Sequence, residues 1–325
     1  MIISKTPIRL TLFGGGTDYP IFFNKYGGET LSFAINKYSY ILVKENNYYT
    51  NYKYFLSYKN IEKIDKISDI DHPSIRETLN YLKINRALEI HYTGDIPAKT
   101  GLGSSSSFTV GLLKSLYGLN KKKIDNLEIA KKAIFIEQNL IKENVGCQDQ
   151  FTTALGGVLN IKYNKNKFLI NKIKLTKDDT HQLEKSIILF FTGIERNSSK
   201  SLRQQIKKTS LGKNTQNLIE IKNQVYEAKN IIKNKIDIKL LGELLKENWE
   251  IKKKLSENIT NSSINEIYMQ ALSCGIYGGK LVGAGAGGFL MFLCSDSVKT
   301  KLKKKFYKLK YIEIKIEYNG SRIIL

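Results

Sequence analysis

Residues 97–107 read P-A-K-T-G-L-G-S-S-S-S, a run whose residue types and spacing suit the binding of phosphate. Gly101 and Gly103 let the backbone turn through positive φ and approach a ligand closely. Ser104 to Ser107 open a stretch in which Phe108, Leu112 and Leu116 recur at helical spacing, so the serines mark a helix N-terminus. Such a terminus aims unpaired N–H groups and the positive end of the helix dipole at an anion. Serine hydroxyls there can also ligate a magnesium ion that bridges phosphates. A serine cap on an ordinary helix is the plainer reading, but four serines exceed what one cap uses.

Other phosphate-binding patterns do not fit. The chain carries no G-x-x-x-x-G-K-[ST], no H-R-D and no D-F-G, which excludes P-loop enzymes and protein kinases. A G-x-G-x-x-G does occur at Gly283, Gly285 and Gly288. A dinucleotide site needs a helix after it, whereas F-L-M-F-L-C over 289–294 reads as a buried strand. K-L-V-G-A-G-A-G-G-F over 280–289 is therefore expected to form a glycine loop between two strands.

The elements that must position these loops are legible from periodicity. Residues 1–14, 29–45, 52–58 and 88–94 are rich in β-branched residues and tyrosine and are expected as strands. Helices are expected at 74–83, 104–118 and 126–141. A strand at 186–192 leads into polar helical stretches from about 199 to 258. The spacing Ser263-Ile264-Asn265-Glu266 reads as a capping box, opening a helix that Gly275 ends. Strand 288–294, helix 297–308 and strand 310–317 complete the chain.

Of 325 residues, 52 are Lys or Arg and 30 are Asp or Glu, a formal charge of +22. An excess of that size suits nucleic acid, but its distribution argues against such a partner. In the densest run, 299–310, the flanking Val298 with Leu302, Phe306 and Leu309 keeps helical spacing, so the lysines read as the solvated face of an amphipathic helix. No 18-residue apolar run or signal-type segment occurs, so a soluble cytoplasmic protein is expected. Cys147, Cys274 and Cys294 form no C-x-x-C pair and read as reduced, mostly buried thiols.

P-I-R-L-T-L-F-G-G-G-T-D-Y-P over 7–20, the serine loop and the glycine loop follow one another in an order that resembles the GHMP small-molecule kinases. That superfamily includes galactokinase, homoserine kinase, mevalonate kinase and phosphomevalonate kinase. Glu137 and G-C-Q-D-Q over 146–150 fall where the superfamily has its metal-binding glutamate and catalytic aspartate. G-G-G-T-D-Y-P departs from the G-E-H-T-D-Y of true galactokinases. The segments at 27–28, 35–38, 72–77 and 191–196 are similar instead to the bacterial D-glycero-D-manno-heptose 7-phosphate kinases.

The resemblance implies an α+β, two-domain GHMP kinase fold. A ribosomal protein S5 domain 2-like N-terminal domain would span 1–170 and a ferredoxin-like C-terminal domain 171–325. It implies ATP and Mg²⁺ as cofactors and a small-molecule sugar or sugar phosphate as substrate. ATP would lie on Pro97, Gly101, Leu102, Gly103, Ser104, Ser105 and Ser106. Ser105 and Glu137 would hold the metal. Asp149 would take the proton of the attacking hydroxyl, and Arg9 would stabilise transition-state charge beside it. The substrate would meet Gly15, Gly16, Thr17, Asp18, Gly285 and Gly287. Arg196 is expected to grip a distal phosphate, although a solvated basic loop explains it equally well. Another sugar 1-kinase, galactokinase-like or fucokinase-like, stays open, as does a catalytically silent binding or regulatory protein on the same fold. Retention of Arg9, Glu137, Ser105 and Asp149 together favours activity.

Overall fold

The computed structural model describes residues 1–46, 51–98, 100–165, 167–193, 198–233 and 235–325, with 198–200 as backbone only. Along the first half the elements run β1 (Ile2–Phe13), α1 (Pro20–Tyr26), β2 (Gly28–Glu45), β3 (Tyr54–Ser57), β4 (Ile61–Ile64), α2 (Pro73–Tyr81), β5 (Leu88–Gly94) and α3 (Ser104–Leu119). Next come α4 (Asn126–Phe135), a π-helical turn (Ile136–Leu140), α5 (Gln148–Leu155), β6 (Val158–Asn164), β7 (Lys167–Ile173) and α6 (Lys177–Ser186). The rest is β8 (Ile187–Phe191), α7 (Ser198–Ser210), α8 (Thr215–Lys233), α9 (Ile238–Lys254) and α10 (Ser262–Ser273). These are followed by β9 (Gly278–Leu281), β10 (Phe289–Leu293), α11 (Asp296–Lys305), β11 (Tyr311–Ile312) and β12 (Arg322–Ile323).

One sheet holds the order β12-β1-β2-β5-β3-β4, with β6 and then β7 added along the early part of β2. The 18 residues of β2 are long enough to pair with β1, with β6 through 28–33 and with β5 through 39–45. β1 and β2 slip register at Pro7, which has no N–H to give the ladder, and again between Thr11 and Phe13. A second sheet, β11-β8-β10-β9, is antiparallel throughout. The main apolar core joins the two halves: Ile8, Leu10 and Leu12 of β1 pack in one cluster with Leu189, Met291, Val225 and Leu245.

α3 is the element that presents the serine loop, and it lies deep. Gly111 faces β1 and β2, where an added Cβ would come within 2.9 Å of Thr6 Oγ1 and 3.2 Å of Ile41 Cγ1. Ser4 and Ser115 hydroxyls donate across the same seam, to the carbonyls of Gly111 and Ile41. Buried on several sides, α3 keeps polar and apolar residues alike inside the protein, which is why its apolar stripe is indistinct.

The strands expected at 1–14, 29–45, 52–58 and 88–94 are all present, as are the helices containing 74–81 and 104–118. β7 extends to 173, past the expected division at 170/171, and β12 returns to the first sheet beside Ser4 and Lys5 of β1. Three expectations need correction. The strand expected over 310–317 is confined to Tyr311–Ile312. The helix expected over 126–141 changes at 136 into the π-helical turn. The cap of α10 is Asn261, whose side chain accepts from the Ile264 N–H at 2.9 Å, so Ser263 lies inside the first turn. Asn261→Ala should accordingly cost about 1 kcal/mol in urea unfolding, while Ser263→Ala should cost nothing, since alanine is the better helix former inside the first turn. The reverse order would restore the box at Ser263.

Candidate active site

Arg9 projects from β1 into a site that is closed around it, with 5% of its surface exposed. Its Nε and Nη2 donate to Oδ1 and Oδ2 of Asp149, each at 2.7 Å, a fork-to-fork pair. Nη1 donates to the Gly101 carbonyl, and the Arg9 main-chain N–H donates to the Leu102 carbonyl at 3.0 Å. One side chain thus ties the serine loop to α5. Asp149 stands in the first turn of α5, where the helix dipole favours a carboxylate, and its side chain is 24% exposed. Gly103 makes the approach possible: at φ +75° an added Cβ would lie 3.0 Å from Arg9 Cγ and 3.3 Å from Asp149 Oδ2.

Gly103 is also the N-cap of α3 and supplies no side-chain cap. The first intrahelical bond runs from the Ser107 N–H to the Gly103 carbonyl, so the N–H groups of Ser104, Ser105 and Ser106 precede the ladder and face outward. That is an anion site in physical terms. Pro97 and Leu102 serve its frame, since the Pro97 carbonyl takes the Thr100 hydroxyl and Leu102 is buried.

The four serines divide their work. Ser105 is exposed at the helix start, whereas Ser106 turns inward and donates to Glu137 Oε2 at 2.9 Å. It is Ser106, one residue's 100° rotation along α3 from Ser105, whose hydroxyl meets the glutamate. Gln150 Nε2 donates to the same Oε2 at 2.6 Å, while Oε1 of Glu137 and Oε1 of Gln150 have no partner. Burial pushes the Glu137 carboxyl up to about 7, against the pull of the nearby Thr109 hydroxyl and the hydrogen bonds of Gln150 and Ser106. An orphaned carboxylate oxygen beside an amide oxygen and hydroxyls is a hard-oxygen set that suits Mg²⁺ or a proton. Among the described residues no group of three His, Cys, Asp or Glu gathers anywhere, so a cation here would depend on phosphate oxygens as well.

On the other side of Asp149 lies the loop 14–18. Asp18 is buried, accepting from the Gly16 N–H at 3.1 Å and the Gln148 N–H at 3.3 Å. Burial and then the charge of Asp149 raise its carboxyl to about 6. Gly146 leaves it room, since a Cβ there would fall 1.8 Å from Asp18 Oδ2. Gly15 and Gly16 are half-exposed beside it. Thr17 is not available to a substrate: its hydroxyl is shared between the Gly14 and Glu29 carbonyls at 2.8 Å and accepts the Glu29 N–H at 3.1 Å. Its role is to pin the loop to β2.

Gly285 and Gly287 lie in the expected glycine loop, but both are buried. A Cβ on Gly285 would fall 2.7 Å from Ile259 Cα, and Gly288 meets the Thr100 carbonyl. The loop thus braces the serine loop from behind. Arg196 lies outside the described residues.

Two lysines escaped the sequence reading. Lys280 of β9 is buried, and its ammonium donates to the carbonyl of Leu12, the residue that the second bulge of β1 leaves out of the ladder. Burial and then the Arg9 charge pull it down to about 7. Lys252 of α9 donates to the Leu281 and Gly283 carbonyls at 2.7 and 2.6 Å, holding the start of the glycine loop. A lysine inside the otherwise apolar run 280–282 was the available signal for the first. The second is lost among the many lysines of α9.

The Glu137 environment has a measurable sign. A carboxyl whose folded value lies above its unfolded one binds more protons when folded, so stability falls as pH rises from about 4.5 to about 7 and is flat beyond. Glu137→Gln removes that loss. Its melting temperature should gain on the wild type across this window in magnesium-free buffer, and parallel curves would show that Glu137 is not the titrating group.

Two family models match the chain: GHMP kinases N terminal domain over residues 73–157, and GHMP kinases C terminal over 228–309. The D-glycero-alpha-D-manno-heptose 7-phosphate kinase of Campylobacter jejuni is 31% identical over 324 residues, covering 94% of this chain and 93% of that protein. The mevalonate kinase of Methanocaldococcus jannaschii is 28% identical, covering 94% and 96%. Among solved structures, a D-glycero-D-manno-heptose 1-phosphate kinase from Bacteroides thetaiotaomicron superposes with a TM-score of 0.82 over 100% of this chain and 99% of that one, at 23% identity.

Proposed function

We propose, from the premise that this chain belongs to the GHMP kinases, that it phosphorylates the anomeric oxygen of D-glycero-D-manno-heptose 7-phosphate. The product would be the 1,7-bisphosphate, an intermediate suited to GDP-heptose and surface polysaccharide synthesis. It is an ATP-dependent phosphotransferase of the sugar kinase type. The acceptor rests on the similarity to the Campylobacter jejuni protein, and the pathway on the resemblance of the sequence segments to the bacterial heptose 7-phosphate kinases. No helix of the described residues is long and apolar enough to cross a membrane.

The observation that supports phosphoryl transfer best is the Arg9–Asp149 pair, held between the N-terminus of α3 and the loop of Asp18. ATP supplies the phosphoryl group, and Mg²⁺ with it would neutralise phosphate charge. The N–H groups at Ser104 to Ser106 bind and orient the phosphates, and Glu137, with Ser105 or Ser106, would hold the metal. Asp18 orients the sugar through its hydroxyls. Asp149 receives the hydroxyl proton on a carboxylate oxygen, while Arg9 fixes that carboxylate and faces the developing charge. A loose transition state asks little of the base and much of such positioning.

A screen of ADP release over heptose 7-phosphate, free heptose, galactose, fucose and mevalonate tests the acceptor. Heptose 7-phosphate should lead galactose by about a hundredfold or more in kcat/KM, the scale on which a pocket's polar contacts discriminate. A free sugar in the lead would overturn the acceptor and leave the kinase assignment standing. Asp149→Asn should lower kcat at least about a hundredfold with little change in ATP binding.

Arg196 is our candidate for the distal phosphate. Arg196→Ala should weaken the sugar phosphate by roughly 2 to 3 kcal/mol, the size of a charge-assisted hydrogen-bonded pair, and leave the free sugar nearly unchanged. Equal losses for both ligands would move Arg196 to another part of the site.

A further inference from the structure

A second concave site lies away from the serine loop, at the seam between the β6–β7 hairpin and helices α6 and α8. Its volume is about 580 Å³, within the range of small-molecule pockets. Five lysines converge on it from separate elements: Lys162 from β6, Lys172 and Lys174 from the end of β7, and Lys229 and Lys233 from α8. Among the described lining residues Asp179 is the one carboxylate, and it already accepts from the Thr176 hydroxyl at 2.6 Å and the Ile236 N–H at 3.4 Å. Lys172 is engaged with the Leu155 carbonyl. The lysines of α11, by contrast, run along one helix and face solvent or Glu313.

One wall of this groove is built rather than merely charged. Lys229, 15% exposed, reaches Glu29 Oε1 at 3.4 Å, and the buried Asn160 donates to the same oxygen at 2.8 Å. The main chain of Glu29 in turn holds the Thr17 hydroxyl beside Asp18. We propose that the groove binds a small polyphosphate anion, of the class of pyrophosphate or a nucleoside diphosphate, and that Glu29 transmits its occupancy to the substrate loop. An anion among these lysines competes with Glu29 for Lys229. Glu29 and Thr17 then lose part of their anchorage, and the sugar binds less tightly. Coupling between two bound ligands is reciprocal, so the sugar weakens the anion by the same factor.

Pyrophosphate titrated calorimetrically into the full chain tests the site without any sugar. Two equivalents should bind, one at the serine loop and one in the groove, and about 0.5 M salt should weaken both. The exposed triple substitution Lys162→Gln, Lys174→Gln and Lys233→Gln should weaken one of the two by about tenfold or more and leave the other. A single equivalent in the wild type, or two undiminished equivalents in the triple variant, would overturn the site. ADP in place of pyrophosphate separates the sources: equal affinity means that the diphosphate alone is read, and tighter binding extends the site to the nucleoside. The coupling rests on the sugar kinase reading, and its arm is kinetic. Pyrophosphate should raise the KM for sugar by about fivefold or more, and Glu29→Gln should abolish that rise while pyrophosphate still binds. A rise that persists in Glu29→Gln would overturn the transmission through Glu29. A protein that binds pyrophosphate here but turns over no sugar would sink the kinase reading alone.

Discussion

A guanidinium that must stay charged while nearly excluded from water constrains everything around it. Arg9 meets that demand with one carboxylate and one carbonyl, and both come from segments far away in sequence. Breaking such a pair leaves an uncompensated buried charge, which costs far more than the pair gains over an apolar replacement. The serine loop, α5 and β1 are therefore held to one geometry by a single side chain. Gly103 and Gly146 are the two places where even a methyl group would intrude on that arrangement or on the carboxylate next to it.

Around the pair the protein keeps three more ionisable groups out of water, each displaced towards its neutral form. Glu137 and Asp18 are raised and Lys280 is lowered, all chiefly by burial. Ionisable groups displaced together in one closed region mark a functional site more often than a structural one. Lys252 and Lys280 do a different job, spending their donors on main-chain carbonyls where the glycine loop and the β1 bulge leave the ladders.

The loops that carry the chemistry were legible because they break local rules in sequence. Runs such as G-L-G-S-S-S-S and G-A-G-A-G-G stand out from any ordinary helix or strand, and most long strands were legible from their β-branched residues. What stayed hidden depended on rotation and on distance. Ser105 and Ser106 are indistinguishable by type, and only the helix phase set by Gly103 decides which one meets Glu137. Thr17 has a ligand-like neighbour in Asp18, yet its hydroxyl is claimed by Glu29, a partner that the return of the chain through α1 into β2 brings near. The Asn261 cap lies one residue before a serine pair that offers the same chemistry. The return of residues 322–323 to β1 has no local signature at all.

That return bears on how the chain reaches this state. β1 carries Arg9 and is synthesised some 300 residues before β12, the strand that lies beside its Ser4 and Lys5. During translation the edge beside Lys5 has no strand to lie against, and an open edge of β-branched residues is a template for pairing with other chains. Closing a loop of that length is slow compared with forming the local helices. The first sheet is thus completed only once residues 322–323 can reach Ser4 and Lys5, so its outer edge is the last part of that sheet to be paired.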